Sequence, residues 1–265
     1  MNRITETVKH LIIINVLLYL ATKFAYPPLQ DLFALHFPKN PNFGFWQYVT
    51  SMFMHSLQSP THLIFNMVGV WMFGSPLEQL WGRNKFLFFY FSAGIGAGLV
   101  YTAVNYFQFN SAVEYLINIG VSHSEINQIV NIRNVNYGVF VQKVNAILTS
   151  NTNIEETTKV FVENIIEINQ KFNTPAVGAS GALYGILVAF GMKFPNSKLA
   201  LIFFPVPVAA KYFIPALIAL DLFSGLTGFS LFGGGIAHFA HVGGAVVGLI
   251  IMLFWKNNQF NRWDK

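Results

Sequence analysis

Six apolar stretches of similar length limit what this chain can fold into. They run about His10–Ala25, Thr61–Leu80, Phe86–Tyr106, Pro175–Lys193, Tyr212–Leu226 and Ile236–Trp255. Most approach the roughly 17–25 residues that a helix needs to cross a bilayer. Hydrocarbon offers no water to unpaired peptide groups, so such stretches must satisfy their own hydrogen bonds as helices. Composition agrees, with 54% hydrophobic and 10% charged residues, against roughly 25% charged in soluble domains. The fold class expected is all-α, a polytopic membrane bundle of six transmembrane helices forming one domain over residues 1–265. A further apolar run, Leu199–Ala210, is short and interrupted by Pro205 and Pro207, and reads as a loop at membrane level. No small-residue cleavage site follows the first stretch, which is therefore expected to stay as an anchor.

Orientation follows from Lys and Arg near the segment ends. Arg3 and Lys9 precede the first span, and Arg83 and Lys85 join the second to the third. Lys193, Lys198 and Lys211 join the fourth to the fifth, while Lys256, Arg262 and Lys265 follow the sixth. Thr227–Gly235 carries none. Both termini are thus expected in the cytoplasm, with the protein in a plasma (bacterial inner) membrane. The net charge of +5 is spread singly along these ends, so lipid is the expected partner and nucleic acid is not. With no cysteine, thiol chemistry is excluded.

Two connections would face outward. Thr22–Pro60 is rich in Pro and aromatic residues. Residues 105–174 form a polar insertion between the third and fourth spans, with four basic residues and six glutamates. Its Val160, Val162, Ile165, Ile166 and Ile168 recur at near-helical spacing, and Thr152 with Glu155 could form a capping box. A small helical hairpin or cap is expected there.

The second, fourth and sixth spans all enter from the outside, so polar residues near their beginnings share one depth. His62 and Asn66 fall in the first two turns of span two, Ser180 about one turn into span four, and His238 and His241 in the first two turns of span six. At 1.5 Å per residue these groups lie within roughly 10 Å of the outer boundary. Polar side chains in hydrocarbon are costly and face a bundle interior or a wet cavity. Each of these alone reads as packing or polar glue, but together they assemble a hydroxyl, an amide and imidazoles. Ser180 and Tyr184 share a helix face, as do His62 and Asn66. Gly244 and Gly248 form a GxxxG stripe that admits a neighbouring backbone. If that neighbour is span four, with Gly181 and Gly185, the His241 imidazole comes within reach of Ser180.

A serine hydroxyl becomes a nucleophile when a base takes its proton, and histidine is the usual base. The resulting oxyanion needs donors, and the Ser180 N–H, the Asn66 amide and His62 lie at the right depth. Asp221 is the only carboxylate deep in a span. It either orients His241 or serves as a helix-end or loop hydrogen-bond partner. His238 with His241 forms an HxxH pair, but zinc would want a third ligand and ordinarily a carboxylate or thiolate, so no metal and no cofactor are expected. His238 reads as a polar group near the loop, His36 and His55 as ordinary interfacial residues. Trp71, Trp81 and Trp255 read as lipid-facing or belt residues.

These residues resemble the rhomboid family of intramembrane serine proteases. Gly178-Ala179-Ser180-Gly181 with Tyr184-Gly185 looks like its GxSGxxYG signature, Ala240-His241-Val242-Gly243-Gly244 like its AHxGG, and His62 to Asn66 like its HxxxN. Glu78 with Gly82-Arg83 resembles the turn after its second span. The chain departs at Trp46-Gln47, where the family commonly has Trp-Arg, and carries extra residues at Gln58-Ser59-Pro60. The resemblance implies a Ser180–His241 dyad and an oxyanion hole of His62, Asn66 and the Ser180 N–H. It also implies Tyr184 packed on the His241 ring, with Gly178, Gly181 and Gly244 in support. The implied function is an intramembrane endopeptidase that cuts transmembrane helices of other membrane proteins near the outer face, without metal or cofactor. The alternative is an inactive rhomboid-like protein that binds client transmembrane helices. Relatives of that kind usually lack the serine or the histidine, and both are present here.

Overall fold

The computed structural model describes residues 3–149, 158–201, 204–229 and 237–260. In chain order the elements begin with α1 (Glu6–Leu20), prolonged by a π-helical turn over Ala21–Ala25, then the short α2 (Leu29–Phe33) and α3 (Gln47–Thr50). Next come α4 (Thr61–Gly69) and α5 (Ser75–Trp81), joined by a π turn over Val70–Gly74 into one helical run. The wide turn sits just ahead of Pro76, whose ring nitrogen cannot donate to a regular ladder. The long α6 (Arg83–Asn118) is followed by α7 (His123–Val130), α8 (Tyr137–Leu148) and α9 (Lys159–Asn173). Then α10 (Ser180–Lys193), the antiparallel pair β1 (Lys198–Leu201) and β2 (Phe204–Ala209), α11 (Ala210–Thr227) and α12 (His238–Phe260) complete the order.

The chain divides into two compact units, one of Met1–Leu35, Phe45–Tyr101 and Ala176–Lys265, the other of His36–Gly44 and Thr102–Pro175. Among the described residues four helices are long and apolar enough to cross a membrane: Glu6–Ala25, Ala210–Thr227 and His238–Lys256, which lie in the first unit, and Arg83–Asn118, which gives the first unit its residues up to Tyr101. The apolar α10 is shorter. Leu17 on α1, Phe88 on α6 and Ile250 on α12 are exposed, as expected of side chains that meet lipid rather than water. The centre of this unit is built by Phe86, Phe89 and Tyr90 of α6, Val8 of α1, Leu77 of α5 and Ile186 of α10, all sealed from solvent. Trp81 and Trp255 pack edge to face at 5.1 Å, with the Lys85 ammonium 4.2 Å above the Trp255 ring. These two indoles therefore pack on each other.

The structure revises three boundaries. First, α10 opens at Ser180 rather than at Pro175. Leu35 and Ala176 exchange both backbone hydrogen bonds at 2.9 Å, and the Gly178 N–H donates to Ser51 O at 2.9 Å. This pinned, extended segment puts Ser180 at the first helical position instead of a turn deeper. Second, the run Leu199–Ala210, expected as a loop, holds paired strands. Lys198 pairs with Ala209 and Leu199 with Val208 in a two-stranded hairpin. Each strand of such a pair has a free edge, where Pro costs no ladder bond. Third, α6 continues well past Tyr106, to Asn118.

In the second unit the end of α6 is followed by α7, α8 and α9, so the stretch where a helical hairpin or cap was expected holds three helices among its described residues. Phe161, Ile165, Ile168 and Phe172 line the buried face of α9, whereas Val160 and Val162 point outward. The cap of α9 is Thr158, whose hydroxyl accepts from the Phe161 N–H at 3.2 Å; Thr152 and Glu155 lie outside the described residues. A capping box does occur at α7, between Ser122 and Glu125. Asn169 donates to the Ile129 and Ile132 carbonyls at 2.8 and 2.9 Å, tying α9 to the end of α7. The buried core of this unit includes Phe37, Phe109, Leu116 and Ile129.

Candidate active site

Ser180 is the first residue of α10. The leading N–H groups of a helix have no partner within it, so the Ser180 N–H is free to serve another acceptor. Gly178, two residues earlier, has φ +123°, a conformation that L side chains rarely adopt. A Cβ at this position would lie 2.8 Å from His62 Cε1, 3.0 Å from His62 Nε2 and 3.5 Å from Ser180 Oγ. The glycine is thus the open floor between the imidazole of α4 and the hydroxyl of α10.

The orientation of His62 is fixed by a backbone group. The Ser56 N–H donates to its Nδ1 at 3.3 Å. A peptide nitrogen can only donate, so in the neutral ring Nδ1 is the acceptor and Nε2 carries the hydrogen. His62 therefore turns a donor toward the Gly178 floor. On the other side of His62 stands His55, 5.2 Å away between ring centroids, with Nε2 2.8 Å from Asn15 Oδ1. His55 is 1% exposed and His36 is 5% exposed, so both are buried among protein atoms. Asn66 is buried and spends one amide hydrogen on the His62 carbonyl at 2.8 Å, one turn back. The second amide hydrogen remains for another acceptor. Gln47, at the family's usual Arg position, is fully buried and donates to Leu32 O at 3.2 Å.

Helices α10 and α12 meet backbone to backbone. A Cβ on Gly244 would fall 1.9 Å from Gly181 O, and one on Gly248 would fall 2.7 Å from Gly185 Cα. The expected pairing of the two glycine stripes is therefore present, and Gly181 and Gly244 are both buried in it. Tyr184 and His241 stack at 4.3 Å between ring centroids, 11° from parallel. The hydrogen bond of the His241 ring among the described residues runs to Asp221, with Nδ1 3.1 Å from Oδ1, and none joins it to Ser180 Oγ. Catalytic hydrogen bonds are often long before substrate binds.

Asp221, on α11, gathers a cluster. Tyr184 OH donates to its Oδ2, and His238 Nδ1 lies 2.5 Å from Oδ1. His238 is thus engaged with the carboxylate rather than only bordering the loop. Both contacts open to Asp221 from sequence occur: it meets His241, and it meets His238 at the first position of α12. The clue was available: a lone carboxylate within an apolar helix needs partners, and three unpaired polar rings stood on neighbouring spans.

Asp221, His238 and His241 offer ligand atoms within 4.8 Å of one another. As a zinc site the set fits poorly. Its N–O separations of 2.5 and 3.1 Å are hydrogen-bond lengths, shorter than the ~3.3 Å edge of a tetrahedron built on roughly 2.0–2.1 Å bonds.

The rhomboid domain model matches residues 42–124 and 144–257. The chain is 26% identical over 221 residues to the rhomboid protease AarA of Providencia stuartii, covering 78% of this chain and 55% of that protein. It is 26% identical over 262 residues to the human presenilin-associated rhomboid-like mitochondrial protein, covering 96% of this chain and 51% of that one. Rhomboid protein 1 of Saccharomyces cerevisiae mitochondria matches at 38% identity over 76 residues, 29% of this chain and 21% of that protein. The chain spans about half the length of the first two of these curated relatives. With most of its length matched by one domain model, the chain belongs to the rhomboid family.

Proposed function

We propose that the protein is an intramembrane serine endopeptidase that cleaves transmembrane helices of other membrane proteins near the outer membrane face. The observation that carries this reading is the backbone contact of Gly244 on Gly181, with Tyr184 stacked on His241. It holds the helix that bears Ser180 against the helix that bears His241. In the proposed reaction His241 Nε2 takes the proton of Ser180 Oγ, and the oxygen attacks the scissile carbonyl. The oxyanion that forms receives the Ser180 N–H, the His62 Nε2–H and the spare Asn66 amide hydrogen. His241 returns its proton to the leaving amine, and water, activated by the same ring, hydrolyses the acyl-enzyme. No metal or cofactor takes part.

The setting is part of the proposal. Six spans cross a plasma (bacterial inner) membrane with both termini in the cytoplasm, α4–α5 and α10 serving as the second and fourth. Residues 1–265 act as one membrane domain, and residues 105–174 are an insertion on the outer side.

Reconstitution with a model transmembrane substrate tests the reaction. Ser180→Ala and His241→Ala abolish cleavage, and Ser180→Ala also abolishes labelling by a fluorophosphonate. Cleavage that persists in Ser180→Ala rules the nucleophile out. If the wild-type protein takes no label but still captures the substrate helix, the non-proteolytic binding alternative stands instead.

A further inference from the structure

We propose that Asp221 is a positioning residue for His241, making the pair with Ser180 a three-membered Ser–His–Asp relay assembled from α10, α11 and α12. The proposal rests on the protease reading above and deepens it.

Three donors converge on one carboxylate. His241 Nδ1 and His238 Nδ1 approach Oδ1 at 3.1 and 2.5 Å, and Tyr184 OH donates to Oδ2. The Asp221 side chain is 8% exposed, and those of His238 and His241 are 11% and 13% exposed. A carboxylate buried to this degree stays ionised only where its oxygens are filled by donors. An ionised carboxylate accepts and cannot donate. The hydrogen of neutral His241 therefore resides on Nδ1, and Nε2 is left with a lone pair. That lone pair is what Ser180 Oγ requires. In the opposite tautomer Nε2 carries hydrogen and cannot accept the proton.

Tyr184 closes the arrangement. Its ring lies on the His241 ring at 4.3 Å while its hydroxyl holds the carboxylate. The stack sets the plane of the imidazole, and Asp221 sets its rotation within that plane. When Ser180 Oγ gives its proton to Nε2, His241 becomes an imidazolium with both nitrogens protonated. Asp221 keeps its negative charge beside that cation and takes no proton. His238 occupies the second lone pair of the same oxygen, which restrains the carboxylate without facing the serine.

A bystander role would make Asp221 only a pin between α11 and α12, and the two roles differ in measurable ways. The first measurement needs no variant. Nitrogen-15 spectra of wild-type protein with labelled histidine, with the His241 signals assigned by their loss in His241→Gln, show Nδ1–H and bare Nε2 in the neutral ring. Finding the hydrogen on Nε2 overturns the proposal. The second uses Asp221→Leu, which fills similar space and accepts nothing. Its kcat falls by at least about a hundred-fold, toward the ~10⁴-fold known for a carboxylate that orients a catalytic histidine, with KM for the transmembrane substrate unchanged, and fluorophosphonate labelling of Ser180 slows in parallel. Asp221→Asn can keep its oxygen toward the imidazoles and its amide toward Tyr184, so it retains more kcat than Asp221→Leu.

A folded Asp221→Leu protein with kcat within twofold of wild type overturns the proposal. If Asp221→Leu fails to fold, the wild-type tautomer decides alone. Ser180→Ala separates the two levels. Activity in that variant defeats the protease reading itself. A silent Ser180→Ala beside an unaffected Asp221→Leu defeats only the role of Asp221.

Discussion

A histidine sealed from water makes stability depend on pH. His55 hydrogen-bonds Asn15 of α1 and stacks its edge against His62, and burial, with the nearby His62 adding to it, lowers its pKa from the usual 6.5 to about 3. The folded state thus refuses a proton that the unfolded chain accepts. The stability this contributes is fully present above about pH 6.5 and is lost as pH falls toward 3, at about 1.4 kcal/mol per pH unit. Thermal unfolding in detergent from pH 7 to pH 5 shows a loss on the order of 2 kcal/mol that His55→Gln removes, since a glutamine amide still donates to Asn15 Oδ1 but binds no proton. Parallel losses in the two proteins place the effect elsewhere. Little at this scale was legible beforehand. The sequence shows a histidine in an outer connection; its burial depends on Asn15, forty residues away. The closeness of His62 to the turn before Ser180 and of His241 to Tyr184 was legible because these residues lie on apolar helices whose order is plain in the sequence.

Among elements, the contact of α10 with α12 decides most, and its glycines were visible as i,i+4 stripes. A stripe does not name its partner, since Gly, Ala and Ser allow any helix to approach. Only the two-sided fit of Gly181 with Gly244 and Gly185 with Gly248 identifies it. The start of α10 was hidden because Pro175–Ala179 is as apolar as the helix that follows. What keeps it out of the helix is pairing of Ala176 with Leu35 and of Gly178 with Ser51, both distant in sequence. The hairpin of β1 and β2 was hidden because its prolines read as breakers, although a free strand edge accepts them. Gly244→Ala tests the central contact. Its methyl would sit 1.9 Å from Gly181 O, with backbone on the other side and no flexible side chain to yield. Overpacking costs typically 1–3 kcal/mol, and a backbone clash belongs at the top of that range. Fluorophosphonate labelling of Ser180 falls further than the melting temperature does, because separating these helices parts the hydroxyl from the imidazole. Val246→Ala, on the exposed face of α12, changes neither. Equal tolerance of both substitutions contradicts the close contact.

At the scale of the whole first unit, the beginning of the chain is fastened to α5 by one carboxylate. Thr5, at the N-cap of α1, makes no cap bond of its own to the helix. Glu78 supplies the missing acceptor across seventy residues. It takes the Thr7 and Val8 N–H groups at 3.0 Å each and the Thr5 hydroxyl as well. A negative group at a helix N-terminus also opposes the positive end of the helix dipole. In the sequence Glu78 falls in the turn after the second span with no partner marked, because a cap borrowed from another helix leaves no local pattern. Hydrogen bonds to a charged group contribute about 1.5–3 kcal/mol, so Glu78→Gln, which keeps the shape and loses the charge, lowers stability by about 1–2 kcal/mol. Glu78→Ala leaves the buried N–H groups of Thr7 and Val8 unanswered and costs more, about 3 kcal/mol. Hydrogen exchange locates the damage: the first turn of α1 exchanges faster, while α10 and α12 keep their protection. Ser180 labelling measured well below the melting temperature stays at the wild-type rate, since the hydrogen bonds of Glu78 among the described residues run to Thr5, Thr7 and Val8 and not to the site. If the first turn of α1 exchanges no faster in Glu78→Ala, Glu78 is not the group that anchors the start of α1.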